Sequence, residues 1–297
     1  MIRLSLVIPT YNRSEQLMET LERVVDQRYD ASKWECVIVD NNSSDDTRAK
    51  VEAVIAEHQE LNISYVFEPK QGLSHARNAG IANSKGEIIA FIDDDEDIVL
   101  DLVKRYVELF DQHPEAMAAG GRIQPDYLSG KPRWMSHIVA KPISNPLYYG
   151  DYTKPFPRGT HPGGGNMAVR RSIFDKIGCF DTELGRSGDK LIGGEECDFF
   201  ERMSKIGFPI YYVPRAMVYH RIGDEKLTEE YTSRLFYQVG VSQRIRAQRK
   251  KHGLCKAYIS EIGKWGATLL LCLTYRPAQS RYLLKLRSGI SKGLFGR

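Results

Sequence analysis

Apolar and polar positions switch between two periods over the first hundred residues. Leu4 to Pro9 is a short, nearly continuous apolar run that stops at a proline, as a strand buried on both faces does. Ser14 to Gln27 then spaces Leu17, Leu21, Val24 and Val25 on one helical face. Cys36-Val37-Ile38-Val39 predicts a second buried strand ending in Asp40. Ser43-Ser44-Asp45-Asp46 offers capping chemistry ahead of a helix with Val51, Val54 and Ile55. Ile63 to Phe67 predicts a third strand, Ser74 to Asn83 a short helix, and Glu87 to Ile92 a fourth strand. Leu102 to Phe110 returns to helical spacing through Val103, Tyr106, Val107 and Phe110. Such alternation predicts an α/β fold, a mostly parallel sheet flanked by helices, with ligands in the crevice at the carboxyl ends of the strands.

Beyond residue 120 the pattern loosens. Residues 124–162 are rich in Pro, Gly, Tyr and Trp without a clear period, and a loop this long in a compact domain is usually functional or mobile. Gly163-Gly164-Gly165-Asn166 leads into a short strand, Met167-Ala168-Val169, and a helix around Ser172 to Ile177. Gly194-Glu195-Glu196-Cys197-Asp198 opens a helix running to about Ile206, with Phe199, Met203 and Ile206 facing inward. A last strand, Ile210 to Val213, leads to Val218-Tyr219-His220.

Candidate chemistry follows from where the strands end. The ends are Pro9-Thr10-Tyr11, Asp40-Asn41-Asn42 and Asp93-Asp94-Asp95, which the parallel order would bring to one edge of the sheet. Three adjacent carboxylates after a buried strand repel one another and lose hydration unless something positive sits beside them. A hard divalent cation is the simplest compensation, since it takes oxygen ligands and commonly bridges a carboxylate to a substrate phosphate. The plainer alternative is an acidic turn capping the next helix.

Composition adds bounds. The chain has 297 residues, enough for one large α/β domain with appendages or two modest domains. Its five cysteines are scattered and never spaced as CxxC, which argues against a disulfide framework or structural zinc and for a reducing, cytoplasmic setting. Met1 leads straight into a strand-like run, so no signal peptide is expected. The net charge of +4 conceals an asymmetry. Residues 244–297 carry 13 Lys and Arg against the single acid Glu261, whereas the rest of the chain balances at −8. A basic tail on a mildly acidic body suggests an anionic surface as its partner.

Several segments together resemble a known family. The order Val7-Ile8-Pro9-Thr10-Tyr11-Asn12, Val39-Asp40-Asn41-Asn42-Ser43-Ser44-Asp45, Ala76-Arg77-Asn78-Ala79-Gly80 and Phe91-Ile92-Asp93-Asp94-Asp95 is similar to family 2 glycosyltransferases of the GT-A (Rossmann-like) fold. Gly165-Asn166-Met167, Gly178-Cys179-Phe180-Asp181, Glu195-Glu196-Cys197-Asp198 with Arg202, and His220 continue the match, which spans about residues 3–222. The resemblance implies a glycosyltransferase domain over 1–222, with a nucleotide-binding half at 1–120 and an acceptor-binding half at 121–222, and a basic helical extension at 223–297. It implies that Pro9, Thr10, Tyr11, Asp40 and Asn42 hold the base and ribose of a nucleotide-diphosphate sugar, with Arg77, Asp93 and Asp94 near the ribose and diphosphate. Asp95, Asp93 and His220 would hold Mn²⁺ or Mg²⁺, Gly164, Gly165, Asn166 and Glu195 would approach the donor sugar or acceptor, and Glu196 would be the catalytic base with Asp198 in reserve. Position 196 departs from the family, which usually places Asp there, so the base here reaches one methylene further.

The implied activity is an inverting, metal-dependent transfer of a single sugar to a hydroxyl acceptor, in polysaccharide or glycolipid assembly. A non-catalytic nucleotide-sugar-binding subunit is the alternative from another class. A processive polysaccharide synthase is a third; Gln243-Arg244-Ile245-Arg246-Ala247 lacks the Trp of that group's Gln-x-x-Arg-Trp motif. In the tail, Trp265 to Tyr275 is an uncharged run short of the ~20 residues that span a bilayer. It suits a segment lying in an anionic membrane interface, at the cytoplasmic face, or a helix packed on the domain or on a second protomer as a homodimer. No nucleic-acid recognition motif accompanies the charge.

Overall fold

Four strands, β1 (Leu4–Thr10), β2 (Trp34–Asp40), β3 (Ile63–Phe67) and β4 (Ile88–Ile92), lie side by side in the order β3-β2-β1-β4 with every pairing parallel. The computed structural model describes residues 1–188 and 190–296. The expected parallel sheet is therefore present in the first hundred residues, and the strands that follow make the whole sheet mixed. β5 (Glu96–Ile98), β6 (Ala118–Tyr127), β7 (Lys154–Pro155), β8 (Asn166–Arg170) and β9 (Ile210–Ile222) extend the order to β3-β2-β1-β4-β8-β6-β9-β5, with β7 on β9. The β4–β8, β6–β8, β5–β9 and β7–β9 pairs are antiparallel.

Strand alternation divides the core into two layers. Leu4, Leu6 and Ile8 of β1 and Ile88, Ala90 and Ile92 of β4 pack with Leu17, Leu21 and Val24 of α1 (Ser14–Val25) and with α4 (Leu102–Gln112), while α2 (Thr47–Glu57) contributes Val51. Val7, Ile89 and Phe91 face the other way, against Ala76 and Ile81 of α3 (Leu73–Asn83), against α6 (Arg171–Ile177), and against Phe199, Phe200 and Met203 of α7 (Glu195–Ser204). Ile206 lies past the end of α7 and is exposed rather than inward-facing.

Contacts divide the chain into two units. The first comprises Met1–Gln124, Leu147–Glu183 and Glu195–Arg221 and holds the two layers just described. The second comprises Pro125–Pro146, Leu184–Gly194 and the chain from Ile222 onward. It is helical: α5 (His137–Ser144), α8 (Glu229–Gln248), α9 (Gly253–Cys272) and α10 (Pro277–Phe295). Its core joins Val139 and Ile143 of α5 to Leu235 and Phe236 of α8 and Leu283, Leu286 and Ile290 of α10. The Arg287 guanidinium and the Ser291 hydroxyl both donate to the buried Glu261 carboxylate, tying α10 to α9. No described helix is long and apolar enough to cross a membrane.

Asn166, expected near the donor sugar or acceptor, lies instead inside the first unit. It is fully buried, accepts the Tyr106 hydroxyl at Oδ1, and donates from Nδ2 to the carbonyls of Arg122 (3.1 Å) and Ala216 (2.8 Å). One amide thereby ties β8 to α4, β6 and β9. The backbones are so close there that a Cβ on Gly121 would fall 1.5 Å from the Ala216 carbonyl oxygen. Tyr106→Phe should lower stability by about 1–3 kcal/mol, because it strands a buried amide oxygen. Denaturant midpoints of the two proteins check this, and equal midpoints would show that the hydroxyl does not hold the amide.

Candidate functional site

The loops after β1 and β2 clasp each other. Asn12 and Asn42 both adopt left-handed backbone (φ 50° and 65°), which asparagine tolerates better than most residues. The Asn12 N–H donates to Ser43 Oγ (2.9 Å), and the Ser44 N–H donates to Asn12 Oδ1 (2.7 Å). Asp45 caps two helices at once, accepting the N–H of Ser14 (3.1 Å) at the start of α1 and that of Thr47 (3.1 Å) at the start of α2. Asp40 is buried at the end of β2, where its carboxylate accepts the Ser43 N–H (2.8 Å) and the Tyr65 hydroxyl (2.7 Å). Pro9 is buried beside it, while Tyr11 and Asn42 are exposed at the mouth.

The turn from β4 to β5 then adds four consecutive acids, Asp93 to Glu96. Asp94, Asp95 and Glu96 are buried, whereas the Asp93 side chain remains 36% exposed. The Glu96 carboxyl accepts the Asp93 N–H (3.2 Å); burial first, then the neighbouring Asp93 and Asp95 charges, push its pKa well above the usual carboxylate range. Burial, reinforced by Asp95, likewise raises Asp94 despite the opposing Arg13 charge. Asp94 is turned inward, accepting the Thr10 hydroxyl (2.8 Å) and Arg13 Nη1 (3.0 Å). The same Arg13 nitrogen donates to Asp95 Oδ2 (3.1 Å), so one guanidinium spans two carboxylates.

A second guanidinium serves the opposite side. Arg77 is 1% exposed; Nη1 donates to Glu195 Oε1 (2.7 Å), and Nη2 donates to Asp93 Oδ1 (3.3 Å) and the Gly164 carbonyl (3.1 Å). It is neither a solvated helical arginine nor open to a ligand, and it positions Asp93 and Glu195 rather than reaching the crevice itself. Gly165 lies buried against the same acids, where a Cβ would stand 2.4 Å from Glu96 Oε1 and 2.7 Å from Asp93 Oδ2. The close approach expected of Gly164 and Gly165 is thus made to the acid corner and to Arg77. Burial and then the adjacent Glu196 push the Glu195 carboxyl up to about 7, against the pull of Arg77.

The two candidate bases part company on α7. Glu196 is half-buried one residue beyond the Arg77 pair. Asp198 accepts from Arg202 Nε (2.8 Å), whose Nη2 donates to the Cys179 carbonyl (2.8 Å), so its charge is used to fasten α7 to the preceding loop. His220, on β9 opposite Glu96, places Nε2 3.7 Å from Asp95 Oδ1. Sequence patterns missed Arg13, Glu96, Tyr65 and Tyr106. The first two were signalled only by adjacency, Arg13 following a polar strand end and Glu96 continuing the acid run.

No group of three or more His, Cys, Asp or Glu side chains among the described residues is arranged to hold a metal ion by itself. The nearest approach to such a group is a pair, the Asp95 carboxylate with the His220 imidazole beside it, and Asp93 follows the same strand with its side chain more open. A pair of this kind could hold a hard divalent cation only with phosphate oxygens and water completing the shell.

Comparison with known proteins identifies the family. The family model described as glycosyl transferase family 2 matches residues 5–178. The chain is 27% identical to the succinoglycan biosynthesis protein ExoM of Rhizobium meliloti, over 99% of this chain and 94% of that protein. It is 26% identical to the glucosyl-dolichyl phosphate glucuronosyltransferase of Haloferax volcanii, over 82% of this chain and 77% of the other. Among solved structures, the mannosyltransferase PcManGT of Pyrobaculum calidifontis, in complex with GDP-Man and Mn²⁺, superposes with a TM-score of 0.64 at 19% identity, covering 99% of this chain and 88% of that one; at that identity the likeness is one of fold.

Glu195 gives the site a pH signature. Its folded pKa, about 7, lies above the unfolded value of about 4.3, so the folded protein holds a proton that the unfolded chain releases. Its contribution to stability is fully present below about pH 4.3 and is lost as pH rises through about 7. Thermal midpoints should therefore fall more steeply across that window in the wild type than in Glu195→Gln. Parallel profiles would place the titration elsewhere.

Proposed function

The chain belongs to glycosyl transferase family 2 and is a glycosyltransferase; from that premise we propose that it is an inverting, metal-dependent enzyme that moves one sugar from a nucleotide-diphosphate donor to a hydroxyl of a glycan or lipid-linked acceptor. The relatives' names support a glycan or polyprenyl-linked acceptor, and the structural neighbour that holds GDP-Man and Mn²⁺ supports the donor class and the ion. The observation that carries the proposal is one rim on which Asp40, Thr10, Asp93 to Asp95 and His220 meet, with Glu196 close to the Arg77–Glu195 pair.

In this mechanism Tyr11, Asn42 and Asp40 bind the nucleoside. Asp93, the most open of the acids and paired with Arg77, would face the ribose or the ion. Asp95 and His220, with Asp93, would hold the divalent cation, which supplies Lewis-acid stabilisation of the charge developing on the departing diphosphate. Glu196 accepts the proton of the acceptor hydroxyl as its oxygen attacks the anomeric carbon, while the bond to the diphosphate breaks on the opposite face. Arg77 and the buried Glu195 fix the start of α7 and hence the position of that base.

Glu196→Gln should lower kcat by about 10²–10⁴-fold with donor affinity retained. Unchanged turnover would remove Glu196 from the base role. Binding of a nucleotide sugar by the wild type with no transfer across a broad acceptor panel would favour the non-catalytic subunit instead. Asp95→Ala should abolish the dependence of donor binding on Mn²⁺ in a thermal-shift titration, and a retained metal effect would contradict the cation site.

A further inference from the structure

Tyr148 is fixed by its neighbours and yet open to solvent. Leu147, the residue before it, exchanges both backbone hydrogen bonds with Ile123 of β6 (3.0 Å each), so Tyr148 stands across from Arg122. Tyr149, the residue after it, turns inward, its ring edge-on to Phe156 and Tyr212 (centroids 5.5 and 5.7 Å). Tyr148 itself remains 54% exposed. The Arg122 guanidinium lies over its ring, 4.7 Å from the centroid, and donates from Nη2 to Gln124 Oε1 (2.7 Å). The Tyr148 hydroxyl donates to Asp151 Oδ1 (2.9 Å). A ring backed on one face and tied at its hydroxyl has little freedom to lose when a ligand stacks on it.

Strand register places this ring on the rim of the candidate site. Gly120 of β6 and Phe91 of β4 both stand opposite Met167 of β8, so Arg122 is level with Asp93, two strand spacings or roughly 10 Å away. Ala118, Met167 and Phe91 share the layer that holds α3 and α7. Alternation puts Arg122 and Asp93 on that same side, where Asp93 meets Arg77 of α3. The sheet order β2-β1-β4-β8-β6 sets Tyr11 and Asp40 on one side of Asp93 and the Arg122–Tyr148 pair on the other.

We infer that Tyr148, backed by Arg122, is a stacking platform for a sugar ring of the acceptor. One face of a pyranose carries mainly C–H groups, which pack on an aromatic face, while the hydroxyls at its edge need donors and acceptors. Arg122 supplies N–H donors beside the ring, and Asp151 supplies a carboxylate. The assignment rests on the proposed placement of the nucleoside at Tyr11 and Asp40, which leaves the β6 side of Asp93 to the acceptor.

Saturation-transfer NMR of the intact protein with cellobiose, lactose, maltose and chitobiose tests it. At least one disaccharide should receive saturation through its ring C–H protons. Tyr148→Ala should lower that signal at least about five-fold, whereas Tyr148→Phe and Tyr148→Trp, which keep an aromatic face, should hold it within about two-fold. Tyr148→Ala should also retain the thermal shift that UDP or GDP gives with Mn²⁺. No signal from any of the four disaccharides with the wild type, or an equal signal with Tyr148→Ala, would overturn the inference. A nucleotide shift lost in Tyr148→Ala would overturn it too, by assigning the ring to the donor. A wild type that binds a disaccharide through Tyr148 but gives no nucleotide shift would support the platform and count against the donor reading alone.

Discussion

Crowding of like charge at one turn is the constraint around which this site is organised. Four acids in a row, Asp93 to Glu96, follow a strand buried on both faces, and Glu195 is buried close by. Left alone, such a group would be forced to take up protons or open to water. Two arginines approach it from opposite sides. Arg13 bridges Asp94 and Asp95 from the start of α1, and Arg77 bridges Asp93 and Glu195 from α3. Removing one partner of a buried, hydrogen-bonded pair typically costs about 3–5 kcal/mol, a range that applies to Arg77 and Glu195 and not to Arg13, whose side chain is 35% exposed and screened by water.

The two bridges leave an uneven remainder. Asp94 is absorbed by Thr10 and Arg13, and Glu195 by Arg77. Asp93 stays partly open, and Asp95 meets His220 across the strand pair that joins β5 to β9. Asp93 and Asp95 follow the carboxyl end of the parallel strand β4, where an α/β sheet presents its crevice. The protein uses its own cations to order the corner, and Asp93 is the acid left most exposed.

Much of this was legible in the chain because the informative segments obey simple periods. β1, β2 and β4 are buried on both faces and read as unbroken apolar runs; α1 and α4 show the 3.6 period because each buries one face. β6 was hidden because Gly120-Gly121 carries no side-chain pattern where backbones nearly touch. α5 was hidden because Pro142 lies within it, although Ser136 caps it through the Val139 N–H. The site was legible as a list of strand ends but not as a set of pairings. Asp198 and Glu196 share a first helical turn, and only the packing of Arg202 against Cys179 decides that Asp198 is taken up in structure. Nor does any local pattern tell a solvated arginine from Arg77, whose partners lie 16, 87 and 118 residues away.

We propose that this acid corner shares a cation with a nucleoside diphosphate. A crystal structure of the protein with Mn²⁺ and UDP or GDP tests it most directly. The ion should lie against Asp95 and His220 beside the diphosphate, with Arg77 still holding Asp93 and Glu195. Nucleotide bound with no ion at that corner, or an ion bound elsewhere in the chain, would contradict it.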